Sequence, residues 1–283
     1  MRTAEDHPFL GASTTRTGDV VILGMPLDLT ESFLTGTREG PARIRTVSDV
    51  LETYSPALHR DLAEIQIADW GDLDLSCGDM TVALHAIEQG AYEARRVGFP
   101  ILVGGEHTAT LGSIRGVLRL YPDLVVIQVD AHLDLRETYN SLALSHATVM
   151  RRVAEDIGLD HLVQLGIRSG TREEFDVAPL CLWSGSSLQL DPIVREQIAD
   201  RPVYLSLDID VLDPAYGPGT GCPEPGGFSF GEVATLLYSL ANLNVVGADV
   251  VEVLPAADVN DITSVAAAKL IRELALLYAS PRT

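Results

Sequence analysis

Residues 124–136 read LVVIQVDAHLDLR. The stretch begins as an unbroken apolar run and ends with ionisable residues at every second position, Asp130, His132 and Asp134. Near-continuous apolar runs of this length mark strands buried on both faces, as in parallel sheets covered by helices. Side chains alternate along an extended chain, so Asp130, His132 and Asp134 are expected on one side of the strand's end. A strand of this kind carries a cluster of charge from the core to one shared place.

The same pattern recurs along the chain. Strand-like runs at 20–25 (VVILGM), 65–69, 100–104 (ILVGG), 124–130, 162–167 (LVQLGI), 203–208 (VYLSLD) and 245–253 (VVGADVVEV) alternate with amphipathic stretches. Those helix-like stretches lie at 40–52, 79–97, 108–120, 146–157, 171–177, 190–199, 229–241 and 263–279. The alternation predicts an α/β fold with a parallel sheet covered on both faces. Ser229 with Glu232 three residues on has capping-box spacing, Asp191 precedes a first-turn Pro192, and Thr263 is expected to start the last helix. No internal repeat or linker breaks the chain, so residues 1–283 are expected to form one domain with 1–18 as an N-terminal arm.

Composition narrows the function. The formal net charge is −20, from 40 acids against 20 bases, and Lys269 is the only lysine. Such a surface repels nucleic acid and anionic membranes and favours cationic small molecules. No apolar run reaches the length of a membrane span, and MRTAEDHPFLGAS lacks the apolar core of a signal peptide. A cytoplasmic location is expected. Cys77, Cys181 and Cys222 show no zinc spacing and read as reduced thiols.

In open parallel sheets, ligands bind beyond the carboxyl ends of the strands. Here those ends are polar: 100–104 runs into GGEHTA with His107, 203–208 into SLDIDVLDPAYGPGTGCPEPGG with Asp208, Asp210 and Asp213, and 245–253 contains Glu252. A single Asp at a strand end is usually a turn or cap residue, and a single His is usually a hydrogen-bonded core residue. Four Asp (130, 134, 208, 210) and two His (107, 132) at one end of adjacent strands are a different matter. Their repulsion calls for cations. A carboxylate-rich set without thiolate favours a hard or borderline ion such as Mn²⁺. Carboxylates that can bridge suit two ions, which together activate water near neutral pH.

GGEH at 104–107, DAHLD at 130–134 and SLDIDVLDPAYGPGTG at 206–221 resemble the three signatures of the ureohydrolase (arginase/agmatinase) superfamily. The resemblance covers nearly the whole chain. It extends to GTREGPARIR (36–45), LSHATVMRR (144–152), LGIRSGTREEF (165–175) and GADVVEVLPAAD (247–258), which look most like a prokaryotic agmatinase. It implies a three-layer α/β/α sandwich, arginase-like, with a mainly parallel central sheet and two Mn²⁺ per subunit. His107, Asp130, Asp134 and Asp208 would hold one ion; Asp130, His132, Asp208 and Asp210 would hold the other. His146 matches a family histidine near the substrate, and Glu252 the acid that pairs with the substrate guanidinium. GGEH departs from the commoner GGDH at a residue that is not a ligand. A homo-oligomer, trimer or hexamer, is also implied.

The function expected from this is hydrolysis of agmatine to putrescine and urea by a metal-bridging hydroxide. Glu252 would orient the guanidinium, Asp134 would relay a proton, and His146 would exchange protons with solvent near neutral pH. The site favours a cationic guanidino substrate. Other guanidino substrates (4-guanidinobutyrate, 3-guanidinopropionate, arginine) are the alternative. Arg136 and Arg168 read either as salt-bridge partners or as captors of a substrate carboxylate. A nucleotide-binding reading of GPGTGCPEPGG is weak, because it lacks GxGxxG and the phosphate-loop lysine. An inactive scaffold is disfavoured by the intact set of eight residues.

Overall fold

The stretch at 125–129 is a strand with every residue buried. The computed structural model describes residues 7–279. In chain order the strands are β1 (Val20–Met25), β2 (Tyr54–Ser55), β3 (Arg60–Asp61), β4 (Ile67–Asp72), β5 (Phe99–Gly104), β6 (Val125–Val129), β7 (Leu162–Leu165), β8 (Trp183–Gly185), β9 (Val203–Asp208) and β10 (Val245–Val251). The helices are α1 (Gly40–Ser48), α2 (Met80–Val97), α3 (Ala109–Leu118), α4 (Val149–Ile157), α5 (Arg172–Val177), α6 (Pro192–Ile198), α7 (Phe230–Ser239) and α8 (Ile262–Tyr278).

Eight strands form one sheet in the order β4-β1-β5-β10-β9-β6-β7-β8. Every pairing in it is parallel. Helices α1, α6, α7 and α8 pack on one face, and α2, α3 and α4 on the other. This is the three-layer sandwich expected from the alternation of runs. The apolar strands are buried on both sides because helices cover both sides. β2 and β3 make a separate short antiparallel pair.

Local signals hold at two helix starts and fail at one. The Ser229 Oγ accepts from the Glu232 N–H at 3.3 Å, and the Glu232 carboxylate accepts from the Ser229 N–H at 2.9 Å. Asp191 accepts from Ile193 and Val194, with Pro192 in the first turn. Thr263, however, lies inside α8, which starts at Ile262. Asn260 and Asp261 are left-handed, with φ of 54° and 60°. They swing the chain so that the Asp258 carboxylate accepts from the N–H groups of Thr263 and Ser264. The Thr263 hydroxyl instead accepts from the Gly219 N–H at 2.7 Å.

The described part of the N-terminal arm, from residue 7, packs beside β4; residues 1–6 lie outside the described residues. Phe9 is buried, and its N–H donates to Asp69 at 2.9 Å. Asp69 also takes a two-pronged contact from Arg45 of α1, at 2.8 and 3.0 Å, and Arg45 reaches Asp72 at 2.5 Å. Arg45 and Asp69 are 3% and 2% exposed. Removing one member of such a pair strands a buried charge. We predict that Asp69→Ala lowers the unfolding free energy by about 3–5 kcal/mol. Glu93→Ala, at the exposed Arg96–Glu93 pair, costs less than about 1 kcal/mol. Urea unfolding followed by circular dichroism measures both.

Candidate metal centre and active site

Four neighbouring strands, β5, β10, β9 and β6, fill the middle of the sheet. Register sets Val129 beside Leu207 and Val251 beside Asp208, so the four carboxyl ends stand level. His107 follows β5, Glu252 follows β10, Asp208 ends β9 with Asp210 just beyond, and Asp130, His132 and Asp134 follow β6. The fold therefore brings all eight sequence-predicted site residues but His146 to one edge of the central strands. His146 reaches the same cavity from the turn before α4.

The spacing of the ligands has a different origin from simple alternation. β6 stops at Val129; the chain then bends at Ala131, and His132 makes an isolated parallel bridge to Ser169. The Asp130 Oδ1 accepts from the N–H of His132 at 2.6 Å, and Asp208 Oδ1 accepts from the N–H of Asp210 at 2.8 Å. Each carboxylate thus closes a turn two residues long and swings the next ligand beside itself. Asp134 and Glu252 are left-handed, with φ of 53° and 67°. Such conformations in non-glycine residues cost about 1–3 kcal/mol and gather at functional sites. Close approach is needed nearby: a Cβ on Gly105 would lie 2.0 Å from the Leu27 carbonyl oxygen, so the second glycine of GGEH has no substitute.

Two groups of donor atoms converge, His107–Asp130–Asp134 and Asp130–His132–Asp210, each within 4.8 Å. Asp130 belongs to both. Asp208 faces the first group, with Oδ2 3.2 Å from His107 Nδ1. The Nδ1 atom of His107 has carboxylate oxygens of Asp130 and Asp134 at 3.1 Å as well. None lies in line for a hydrogen bond, so this buried nitrogen has no hydrogen-bond partner. A carboxylate-imidazole set around such an atom fits a pair of hard or borderline divalent cations. The other side of the ring is fixed: Nε2 lies 3.0 Å from Ser206 Oγ, which donates to Asp249 at 2.8 Å. Ser206 must then accept from Nε2–H, which leaves Nδ1 as the ligating nitrogen.

Electrostatics point the same way. Burial first, then the repulsion of Asp130, pushes Asp134 up to about 7. Burial raises Asp208 and Glu252 well above the usual carboxylate range. Burial works against a charge on His132, but the carboxylate of Asp210 outweighs it and carries His132 up to about 11. The protein has packed negative charge where only nearby positive charge makes it tolerable.

Glu252, 8% exposed, holds the His107 backbone N–H on Oε1 at 2.6 Å. It lines a cavity of about 180 Å³ together with five of the six candidate ligands (His107, His132, Asp134, Asp208 and Asp210), His146, Arg136 and Cys222. Burial pushes the Cys222 thiol up to about 11, so it stays protonated there. His146 is held by Thr30: its N–H donates to Thr30 Oγ1 at 3.2 Å. Thr30 in turn donates from its N–H and hydroxyl to Glu106 at 2.6 and 2.9 Å. Glu106, the residue that departs from GGDH, anchors the loop over the site. Burial, with the imidazoles of His107 and His132 adding, pushes His146 down to about 4. That direction favours the neutral imidazole. The Arg136 side chain lies 3.3 Å from Glu174 and stacks over Tyr139. Arg168 donates to backbone carbonyls, among them those of Asp210 and Glu224. Arg168 is thus held by the backbone, while Arg136 pairs with Glu174 at the cavity wall. Ser206, Asp249 and Thr30 were not singled out by sequence, where a buried acid inside the strand VVGADVV was the one signal available; Glu106 was noted only as the departure from GGDH.

A family model described as Arginase family matches residues 18–277. An agmatinase of Bacillus anthracis is 45% identical over 264 residues, 91% of each chain. A guanidinobutyrase of Pseudomonas aeruginosa is 34% identical, covering 90% of this chain and 85% of its own. The solved structure of an agmatine ureohydrolase from Thermoplasma volcanium superposes with a TM-score of 0.83 at 32% identity, over 95% of this chain and 93% of that one.

Asp130 is the donor common to both groups, so Asp130→Asn is expected to lower bound divalent metal from two ions to fewer than one per chain while the fold persists. Elemental analysis of purified, dialysed protein checks this, and unchanged metal content removes Asp130 from the ligand set.

Proposed function

The chain belongs to the arginase family, and within it we propose a hydrolase that converts agmatine to putrescine and urea. The observation that carries this reading is the buried Glu252 carboxylate, set in the same small cavity as five of the six candidate ligands. Its Oε2 takes no hydrogen bond among the described residues, whereas Oε1 is held by the His107 N–H. A guanidinium offers parallel N–H donors to such a carboxylate. Burial disfavours the charge on Glu252, and a cation at short range restores it. Agmatinases at 43–45% identity support the choice of substrate.

His107, Asp130, His132, Asp134, Asp208 and Asp210 would hold the metal, Mn²⁺ in this proposal. Bound there, a pair of divalent cations supplies Lewis acidity and a hydroxide-like nucleophile near neutral pH. The chain's own residues do the rest. Glu252 fixes the guanidinium so that its carbon is presented to the ligand cluster. Asp134, at the edge of the cluster and lining the cavity, can hold a proton and deliver it to the departing amine. His146, as a neutral imidazole, can pass a proton along the cavity wall; its Nδ1 and Nε2 lie 3.4 Å from the hydroxyls of Thr30 and Ser32. Arg168 is spent on backbone carbonyls, and the Arg136 charge at the cavity wall is balanced by Glu174. That favours a substrate whose tail is not anionic.

The proposal includes a single ureohydrolase domain over the chain, a cytoplasmic location and a homo-oligomer, trimer or hexamer. The three unpaired cysteines suit a reducing compartment. Among the described residues, no helix is long and apolar enough to cross a membrane.

Urea release should be about tenfold or more faster from agmatine than from 4-guanidinobutyrate, 3-guanidinopropionate or arginine, by comparison of kcat/KM with Mn²⁺ present. A preference for 4-guanidinobutyrate would reassign the substrate. Glu252→Gln should lower kcat/KM for agmatine about 10–100-fold, the worth of a charged hydrogen bond, with bound metal unchanged. Loss of metal in that variant would make Glu252 a support of the ligand cluster instead.

A further inference from the structure

A row of polar side chains crosses the sheet one step below the candidate ligands. Register aligns Ser184, Gln164, Gln128, Ser206 and Asp249 across β8, β7, β6, β9 and β10. By strand alternation they share a face with Leu162, Val126 and Tyr204, the face that α2, α3 and α4 cover. Gln128 and Gln164 are 0% exposed. Ser206 and Asp249 serve His107, as described above. The two glutamines serve the other side of the site.

Every polar atom of this glutamine pair is used. Gln128 donates from Nε2 to Asp130 Oδ2 at 2.6 Å and to the His132 carbonyl at 3.1 Å. Its Oε1 accepts from Gln164 Nε2 at 2.6 Å. Gln164 Nε2 also donates to the Leu133 carbonyl at 2.8 Å, and its Oε1 accepts from Ser184 at 3.1 Å. The partners settle how the amides face. Turning Gln128 over would set its oxygen against the Asp130 carboxylate and the His132 carbonyl, with no hydrogen between them. All donors in the run Ser184, Gln164, Gln128 therefore point toward Asp130, and such aligned hydrogen bonds reinforce one another at low dielectric.

Two buried amides in the middle of a sheet are poor core residues. Apolar side chains of similar size would fill the space without polar groups to satisfy. What the amides do instead is fix both the Asp130 carboxylate and the carbonyls of the turn that carries His132 and Asp134. Asp130 is the donor shared by both converging groups, so its orientation affects both ion positions. We propose that Gln128, anchored by Gln164, is a positioning residue that sets the affinity of the centre for its divalent cations. The proposal rests on the metal-centre reading given above.

Full-length protein is dialysed against graded Mn²⁺ and the bound metal is measured by elemental analysis, for wild type, Gln128→Met and Gln164→Met. Circular dichroism reports folding. Gln128→Met is expected to require about 10–100-fold more Mn²⁺ for half-occupancy, the usual effect of losing a partner that orients a ligand. Both ions should be lost together. At saturating Mn²⁺ its kcat should return to within a few-fold of wild type, with the KM for agmatine unchanged; a general loss of structure would not be rescued by metal. Gln164→Met leaves the Gln128–Asp130 contact and removes only its anchor, so a smaller shift in the same direction is expected, and it carries the test if Gln128→Met fails to fold. A folded Gln128→Met, or failing that a folded Gln164→Met, with the wild-type metal curve overturns the proposal. Wild type that binds no divalent metal sinks the metal-centre reading itself, and the two failures are told apart in the one experiment.

Discussion

Mutual repulsion among Asp130, Asp134, Asp208 and Asp210 is the constraint on which the rest of the structure depends. All four are 7% exposed or less, and they face one another at the ends of adjacent strands. In water such charges would separate. Here the sheet holds their backbones level, and the desolvated surroundings magnify the repulsion. The arrangement persists only because positive charge answers it: two imidazoles from the protein and, on the reading advanced here, a pair of divalent cations.

Much of the surrounding architecture serves that purpose. Asp130 and Asp208 each use one carboxylate oxygen to close the turn that presents the next ligand. Ser206 and Asp249 orient the His107 ring from below. Asp134 and Glu252 are held in left-handed conformations that a relaxed chain would avoid. Glu106 reaches back to Thr30 and pins the loop that contacts His146. Each device spends local stability on geometry, and an all-parallel sheet with both faces covered supplies the rigidity that lets this accumulate in one place.

The residues that sequence reading found are those whose signal is local. Apolar runs located the sheet, because a strand buried on both faces has little freedom in composition. Acid and histidine at strand ends located the candidate ligands, because so many of them at one end of adjacent strands have few other roles. What escaped is non-local. Gln128 in LVVIQVD and Gln164 in LVQLGI read as blemishes in apolar strands, and only the pairing of β6 with β7 sets one against the other. Thr30 lies 76 residues from Glu106, with no spacing to link them. β8 is three residues long, too short to show a period. At 130–134 the strand ends before the candidate ligands, and a bend closed by the Asp130 carboxylate, not strand alternation, sets Asp130 beside His132. His146 reaches the cavity from the turn before α4, and its burial cannot be seen in the residue itself.

The most direct test is anomalous diffraction at the manganese edge from crystals grown with Mn²⁺. The account predicts two peaks roughly 3–4 Å apart beyond the ends of β9 and β6, with Asp130 touching both. A single peak elsewhere, or none in crystals of protein that still releases urea from agmatine, would contradict it.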